Sequence, residues 1–407
     1  MTVQIGHYGD YYKHPIVSSH GTWAASAERG RSSGVILWNM ASGAIVESWD
    51  VYHVFGLAFT SENGYLVICS QDGLIFRDPN HSCDVVGQID VAYKVDHCSW
   101  SPENAFCALS GRLFKGAEVY CVGVYSTATA EEIAYYEMSM PLAFHEHTYP
   151  IFSNDCDRLL LTQQYYKHTH PDYTEEMSIS WIWDIHRTTS PRRLLNHGVF
   201  VDCSMFNPAD SAQIFLLLRN GTIQVRNIAS GIALTNVVLT PIDDYPYSAK
   251  MLCSPNGIHV MIKYSPDQDF RLCNTKTGVV LGTLQGVHVS WLVFSPDGRY
   301  ILSRSHDSAA RLWDLYTGRP VLSLEAHIDW IEDASFSPDG KYVATGYEDG
   351  TVRLWKVEDG ACLAILTENT SRICRHGLAF SSNGEFLMSL RANGTVHMRH
   401  LHDIICR

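Results

Sequence analysis

The C-terminal third of the sequence contains three side chains of the types that nucleophilic catalysis uses, His327, Thr345 and Asp349. In such a set a hydroxyl attacks, a histidine accepts its proton and a carboxylate orients the histidine. A related pair, Ser303 and Asp307, lies 42 positions earlier, with a glutamine where the histidine would align. Because the set recurs in part along the chain, we interpret it as part of a structural pattern and predict no catalytic residue.

Histidines are concentrated in a second part of the chain, at His145, His147, His168 and His170. Two histidines one residue apart share a metal ion when a third ligand converges on it. An exposed polar segment is the simpler interpretation of the same residues, and a recognition segment is a further alternative. The spacing of these histidines is compatible with all three interpretations, and we predict neither a metal site nor a cofactor.

The elements that would position these residues come from a repeat. Ser295 to Trp313 reads SPDGRYILSRSHDSAARLW, and Ser337 to Trp355 reads SPDGKYVATGYEDGTVRLW, with nine identical positions each separated by 42 residues. Pro-Asp-Gly and Asp-Gly favour tight turns, and the β-branched and aromatic residues between them favour strands. A period of about 40 to 45 residues with this pattern predicts a meander of short antiparallel strands.

These motifs resemble the WD40 repeat, in which each repeat forms one four-stranded blade of a β-propeller. The resemblance implies a buried hydrogen-bond network of Trp, Ser or Thr, His and Asp that stabilises the blade. Carried over to this sequence, the network would comprise His327, Thr345, Asp349 and Trp355 in one blade and Ser303, Asp307 and Trp313 in the preceding one. The fold class predicted is all-β, as a single closed propeller of four-stranded antiparallel blades.

Moving the template along the chain locates nine repeat units within one domain, residues 1–407. Eight blades remain an alternative, because the first unit would also fit an irregular cap. The approximate units are residues 13–50, 54–90, 94–138, 147–197, 199–240, 247–285, 288–326, 328–368 and 372–407.

The ninth unit leaves only eight residues after Arg399, which is too few for a turn and a full fourth strand. Residues 1–7 include Thr2 to Ile5, whose polar and apolar residues alternate as in a half-buried strand. Propellers that resemble this one commonly close when such an N-terminal strand completes the last blade, and we expect the same here. The alternative is a frayed N-terminus with a short fourth strand over Asp403 to Cys406.

Two insertions interrupt the connection between the second and third strands of a blade. Gln163 to Met177 lies in the fourth unit and Ser110 to Ala117 in the third, so we expect two loops on one face of the ring. Long loops on rigid scaffolds often bind partners, and tyrosine is enriched at interfaces. The candidate binding residues are Tyr165, Tyr166, His168, His170, Tyr173, Phe114 and Lys115.

Composition narrows the class of partner. The formal net charge of −13 disfavours an extended phosphate backbone, so no nucleic acid is expected as a partner. Twelve cysteines occur singly with no Cys-x-x-Cys pair, which is typical of reduced thiols in an intracellular protein of the cytoplasm or nucleus. The sequence lacks a secretory signal pattern and any apolar run of membrane-spanning length, so no membrane association is expected.

The leading functional hypothesis is a non-enzymatic scaffold that binds proteins or peptides through its loop faces. The sequence contains no Gly-rich phosphate loop, no Gly-x-Ser-x-Gly and no His-Glu-x-x-His. One alternative is the ligand-sensing propeller of a larger signalling protein with an NTPase module. Another is a propeller enzyme, which requires titratable groups with perturbed pKa values to converge at the central channel. The partner and the oligomeric state are not indicated by the sequence.

Overall fold

The structure is a computed structural model, and its described residues are the following: 16–18, 21–27, 33–40, 42, 44–114, 118–139, 144–170, 173–187, 190–197, 200–238, 249–263, 270–284, 291–304, 310–324, 330–367, 372–381, 383–391 and 396–405. They form nine antiparallel sheets arranged as a β-propeller, eight with four strands and the last with three. The prediction of nine blades is therefore confirmed, and the eight-blade alternative is wrong. Among the described residues, no helix is long and apolar enough to cross a membrane.

Each blade consists of consecutive strands. The first four blades contain β1 (Ile16–Val17), β2 (Trp23–Ala27), β3 (Ser33–Asn39), β4 (Ala44–Val51); β5 (Gly56–Phe59), β6 (Leu66–Ser70), β7 (Gly73–Arg77), β8 (Val85–Asp90); β9 (Lys94–Trp100), β10 (Phe106–Phe114), β11 (Glu118–Ser126), β12 (Glu132–Ser139); β13 (Phe144–Phe152), β14 (Arg158–His170), β15 (Tyr173–Asp184) and β16 (Arg192–His197).

The remaining blades follow the same order. They contain β17 (Val201–Asn207), β18 (Asp210–Leu218), β19 (Thr222–Asn227), β20 (Ala233–Val238); β21 (Lys250–Cys253), β22 (His259–Lys263), β23 (Phe270–Asn274), β24 (Val280–Leu284); β25 (Trp291–Phe294), β26 (Tyr300–Arg304), β27 (Ala310–Asp314), β28 (Arg319–Leu324); β29 (Ile331–Phe336), β30 (Tyr342–Tyr347), β31 (Val352–Lys356), β32 (Cys362–Leu366); β33 (Ile373–Phe380), β34 (Phe386–Arg391), β35 (Val396–His400) and helix α1 (Leu401–Ile405).

The turn between the first and second strands has the chemistry that its sequence predicts. In the eighth blade, Ser337 Oγ donates to Asp339 Oδ1 at 2.6 Å and accepts the Tyr342 N–H at 2.9 Å. Gly340 occupies the left-handed region with φ 70°, which glycine adopts without a steric cost. The same serine contacts recur in the seventh blade, where Ser295 replaces Ser337. These bonds lie within one turn, so the hairpin is stabilised by contacts inside its own blade.

The core is divided among the interfaces between neighbouring blades. Nine clusters of buried apolar side chains occur among the described residues, and each joins two blades. One of them closes the ring, because Trp38 and Ala24 of the first blade pack against Met388 of the ninth. Burial of both sheet faces explains why the second strands read as continuous apolar runs, and closure leaves few exposed edges.

The C-terminal residues differ from one of the two arrangements that the sequence predicted for the end of the ninth blade. Residues Leu401–Ile405 form a short helix rather than a fourth strand, and Leu401 and Ile404 are buried against the eighth and ninth blades. The alternative with a short strand over Asp403 to Cys406 is therefore wrong, with Cys406 itself outside the described residues. The strand predicted over Thr2 to Ile5 also lies outside them, and it remains a proposal that this segment completes the ninth blade.

This proposal predicts the effect of a truncation. Deleting residues 1–7 removes the strand that would pair with β35. The ninth blade then loses the backbone hydrogen bonds along one side of β35. We expect the melting temperature to fall by several degrees, measured by circular dichroism at matched protein concentration. Replacing residues 1–7 with a Gly-Ser segment of equal length is the matched control for chain length and should show the same fall. An unchanged melting temperature in both variants would refute the proposal.

Candidate functional site

The insertion in the fourth blade is a β-hairpin. β14 and β15 are 13 and 12 residues long, and their Cα partners run from Arg158 opposite Asp184 to His170 opposite Tyr173. The expectation of a loop over Gln163 to Met177 is wrong, because the two strands continue the ladder of the blade. β30, the corresponding strand of the eighth blade, has six residues. At about 3.3 Å per residue, β14 is longer by roughly 20 Å. We call residues 163–177 the blade 4 hairpin.

A shorter extension stands in the third blade. β10 and β11 pair from Phe106 opposite Ser126 to Phe114 opposite Glu118. The expected loop over Ser110 to Ala117 is therefore also a hairpin over the residues that the structure describes; Lys115 lies outside them. We call residues 110–118 the blade 3 hairpin. Both hairpins connect a second strand to a third strand, so they emerge at the same face of the ring.

The structure describes only the backbone at the candidate binding residues of the blade 4 hairpin. Tyr165 and Tyr166 are adjacent in β14, opposite Met177 and Glu176 of β15. β13 continues beside them as a third strand, with Phe144 opposite Tyr166. The remaining candidates occupy strand positions near the tip, His168 and His170 in β14 and Tyr173 in β15, while Phe114 ends β10. The sheet thus brings five of the candidates together on one hairpin.

The base of the blade 3 hairpin is held by a bulge and an ion pair. The register of β9 and β10 shifts between Ser110 and Gly111, and a Cβ on Gly111 would lie 2.0 Å from the Lys94 carbonyl oxygen. This close approach requires glycine. One residue further, Arg112 donates to both carboxylate oxygens of Asp96, with Nε to Oδ2 at 2.8 Å and Nη2 to Oδ1 at 3.3 Å. The two-point contact fixes the direction of β10 where the hairpin begins.

Aromatic contact joins the two hairpin-bearing blades directly below the extensions. The rings of His97 in β9 and Tyr149 in β13 have centroids 4.3 Å apart. His97 is the Cα partner of Ser110, and Tyr149 is the partner of Thr162. The first strands of the third and fourth blades are therefore in contact at the level where both hairpins begin.

On its other side, the blade 4 hairpin is fastened to the fifth blade. Gln164 Nε2 donates to the Val201 carbonyl at 2.7 Å, and Ser178 Oγ accepts the Val201 N–H at 2.8 Å. Just below, the Thr162 hydroxyl lies 3.2 Å from that of Ser180 and 2.7 Å from that of Ser204. Buried hydroxyls that satisfy one another fix the relative position of the strands that carry them.

The neighbouring rim of the fifth blade carries a cation and an anion. Arg219 Nε donates to Asp202 Oδ1 at 2.8 Å, and the Arg219 guanidinium lies 4.0 Å from the ring centre of Phe200. Both charged side chains are mostly buried, with exposed fractions of 13% and 11%. The sequence analysis did not identify these residues or the hydroxyls of Thr162, Ser180 and Ser204. The signal that could have identified them in the sequence is a polar residue at a strand position where a buried strand usually has an apolar one.

The network implied for the eighth blade is described in part. Trp355 Nε1 donates to Thr345 Oγ1 at 2.8 Å, and Trp313 Nε1 donates to Ser303 Oγ at 2.8 Å in the seventh blade. Thr345 is fully buried and also lies 3.2 Å from the Tyr347 hydroxyl. Asp349 accepts the N–H and the hydroxyl of Thr351 at 2.8 and 2.7 Å. His327 and Asp307 lie outside the described residues, so their part in the network remains a proposal.

Titratable groups with shifted pKa values are distributed over several blades. Burial raises the pKa of Tyr125 to about 12 at the contact of the second and third blades. Burial raises the pKa of Cys203 to about 12 in the fifth blade, and it lowers the pKa of His259 in the sixth. Each of these groups is thereby favoured in its neutral form, as packing in an apolar interface requires.

Metal ligands are not grouped in the described part of the chain. No set of three or more His, Cys, Asp or Glu residues there is placed to hold a metal ion. The side chains of His145, His147, His168 and His170 lie outside the description. The site therefore consists of two raised hairpins on a base braced by hydrogen bonds, an ion pair and an aromatic contact.

Comparison with known proteins places this geometry in context. The family description "WD domain, G-beta repeat" matches residues 278–314 and 318–356. Nuclear distribution protein PAC1 of Arthroderma benhamiae is 41% identical over 70 residues, which is 16% of this chain and 15% of that protein. Nuclear distribution protein nudF of Aspergillus flavus is 32% identical over 127 residues, 30% of this chain and 22% of that protein. The match thus spans less than a quarter of either relative.

A solved structure is similar over most of the ring. The crystal structure of the computationally designed Ika8 protein aligns with a TM-score of 0.55 over 86% of this chain and 96% of that chain. Its sequence identity of 20% means that the likeness concerns the fold alone.

Proposed function

We propose, from the premise that this chain is a WD40-repeat β-propeller, that it is a non-enzymatic scaffold whose blade 4 hairpin binds a protein or peptide partner. The observation that carries the proposal is the length of β14 and β15, which continue well past the end of the corresponding strands in other blades. The relatives named as nuclear distribution proteins support a role in protein interaction, although the shared segment is too short to transfer their specific task.

The support beneath the hairpin favours binding without large rearrangement. Gln164 and Ser178, which are Cα partners at its base, both bond to the backbone of Val201 in the fifth blade. His97 and Tyr149 connect the same region to the third blade. A recognition element held on a rigid base loses less conformational entropy on binding, so more of its contact energy contributes to affinity.

The composition of the hairpin suits a protein interface. Residues 163–177 include three tyrosines and two histidines among mostly polar neighbours. Tyrosine provides a large contact area with few rotatable bonds and a hydroxyl for hydrogen bonding. Phe114 and Lys115 at the tip of the blade 3 hairpin would form a second part of the same surface. We propose these residues, with Tyr165, Tyr166, His168, His170 and Tyr173, as the binding surface.

Replacing the hairpin with a tight turn tests the proposal. Residues 165–177 are exchanged for Asn-Gly, which joins Gln164 to Ser178 through a two-residue hairpin turn. These two residues are already Cα partners, so the rest of the blade should fold unchanged. We expect the melting temperature to be retained and the main partner to be lost from affinity purification of the tagged chain, measured by quantitative mass spectrometry.

The matched control changes the opposite face of the same blade. His186 and Arg187 lie exposed in the turn between β15 and β16, and their double substitution His186→Ala with Arg187→Ala removes charge without touching the hairpin. This variant should retain every partner of the unaltered protein. Undiminished capture by the hairpin-replaced chain, with normal folding, would end the proposal.

Location and partner class follow from the same reasoning. The described cysteines are free thiols, consistent with an intracellular protein of the cytoplasm or nucleus. With a formal net charge of −13, we propose that its partners are proteins or peptides rather than nucleic acid or anionic membranes.

A further inference from the structure

One backbone edge of the blade 4 hairpin has no neighbouring strand. β15 pairs with β14 from Tyr173 to Asp184. On its other side, β15 pairs with β16 only from Ser178 onward, where Ser178 lies opposite His197. Within the portion of the chain that the structure describes, residues 173–177 therefore have no strand partner on that side. This open segment, which we call the β15 edge, is five residues long, the usual length of a strand.

An edge of this kind is a template for another strand. Its outward N–H and C=O groups repeat at every second residue and can form a ladder with an extended segment. Natural proteins often block such edges with lysine, proline or a bulge. The β15 edge, Tyr-Thr-Glu-Glu-Met, contains neither lysine nor proline. The register shift in the hairpin lies opposite the first two residues of the edge, Tyr173 and Thr174, and its extra residue, Thr169, belongs to β14 rather than to the edge strand.

The charge of the edge selects its occupant. Glu175 and Glu176 are the only charged residues among residues 173–177, and the whole chain carries a formal net charge of −13. In β14, Lys167 is the Cα partner of Glu175 and the uncharged Tyr166 is the partner of Glu176, so the hairpin retains an excess of negative charge at this edge. Like charges on neighbouring strands destabilise a sheet, whereas opposite charges stabilise it. A second copy pairing through the same edge would place glutamates against glutamates. A basic extended segment meets the edge with opposite charge, and it is also steered toward the molecule by the net charge.

We propose that the β15 edge binds a basic, extended segment of a partner protein by adding it as a strand beside residues 173–177. This inference rests on the proposed function, because it specifies how the blade 4 hairpin engages its partner. The backbone ladder supplies affinity, and the two glutamates supply selectivity for lysine- or arginine-bearing segments. The added strand lies in line with β16, beyond its end at His197, and takes the fourth-strand position beside the hairpin.

A synthetic probe separates backbone pairing from other modes of binding. The probe is a six-residue peptide of alternating lysine and valine, which has strong strand propensity on one set of positions and positive charge on the other. Its control carries N-methyl groups on alternate residues, so that one edge cannot donate hydrogen bonds while the side chains are unchanged. Titration into the full chain by fluorescence anisotropy should show saturable binding of the first peptide and at least about tenfold weaker binding of the second.

Hydrogen exchange gives the signature of strand addition. With the probe bound, amide protons at alternate residues of 173–177 should exchange more slowly, because only the N–H groups facing away from β14 gain partners. Equal binding of both peptides, uniform protection, or no binding of either peptide would overturn the edge proposal. None of these outcomes contradicts the scaffold function, which the hairpin replacement tests independently.

Charge reversal tests selectivity. The double variant Glu175→Lys with Glu176→Lys should lose at least about tenfold in affinity for the lysine peptide. The matched control is Glu131→Lys with Glu132→Lys, because these two adjacent glutamates are exposed at the start of β12 in another blade. Equal affinities of the two variants for the lysine peptide would overturn the proposal that the β15 edge selects a basic segment. Light scattering tests the other occupant: dimers that form with rising protein concentration and are absent from the Glu175 and Glu176 variant would show that the edge binds a second copy instead.

Discussion

Replacing Gly73 with alanine is expected to lower the free energy of unfolding by more than about 3 kcal/mol, among the largest losses that a single methyl group can cause. Gly73 begins β7 with φ 140°, a conformation that side chains rarely adopt. An added Cβ would lie 1.9 Å from the carbonyl oxygen of Ile89 in β8. The obstacle is backbone rather than a flexible side chain, so β7 and β8 must separate to accommodate it.

The matched control for Gly73→Ala is Gly282→Ala. Gly282 also lies in a strand, but its added Cβ would meet no heavy atom within 4 Å and its φ is not in the left-handed region. We expect a change within about 0.5 kcal/mol for this variant. Urea unfolding followed by tryptophan fluorescence measures both. A loss for Gly73→Ala no larger than that of Gly282→Ala would show that the β7–β8 contact tolerates a side chain.

Much of the fold was predictable because its signals are local. The Ser-Pro-Asp-Gly turn sets the hairpin between the first two strands through Ser337 and Asp339, within six residues of sequence. The 10-residue spacing of Thr345 and Trp355 then places a hydroxyl and an indole on neighbouring strands. Because turn and strand signals of this kind recur along the chain, the number of blades could be predicted from the spacing of the repeat units.

The blade 4 hairpin was not predicted as a pair of strands because its sequence has no regular alternation of polar and apolar residues. Strand prediction depends on alternation of polar and apolar residues, which appears only when one face is buried. Gln-Tyr-Tyr-Lys-His-Thr-His in β14 has no such alternation. The signal that was available is intrinsic propensity, since Tyr165, Tyr166 and Thr169 all favour extended backbone.

The polar contacts that brace the site could not be predicted for a different reason. Thr162 and Ser204 lie 42 residues apart, and Gln164 and Val201 lie 37 apart. Such pairs depend on how one blade is positioned against the next, which no local pattern specifies. The apolar clusters between blades determine that position, so these polar contacts depend on the arrangement of the ring and cannot be inferred from the local sequence.

Replacing Trp38 with alanine is expected to cost about 3–5 kcal/mol and to open the ring at one place. Trp38 is only 2% exposed, and it packs with Ala24, Met40 and Met388 in the cluster that joins the first and ninth blades. Removing the indole leaves a cavity at the contact between the two ends of the chain. Among the described residues, the eight other apolar clusters each join blades that are neighbours in sequence, whereas this cluster joins the first blade to the last and so depends on closure of the ring.

Trp183→Ala is the matched control, because Trp183 is fully buried at the contact between the third and fourth blades. Both substitutions should lower stability by similar amounts in urea unfolding. Hydrogen exchange should then differ: Trp38→Ala accelerates exchange first in β2, β3 and β34, whereas Trp183→Ala accelerates it in β11 and β15. If Trp38→Ala leaves exchange in β34 unchanged, the ninth blade is stabilised without the first, and closure of the propeller does not depend on this cluster.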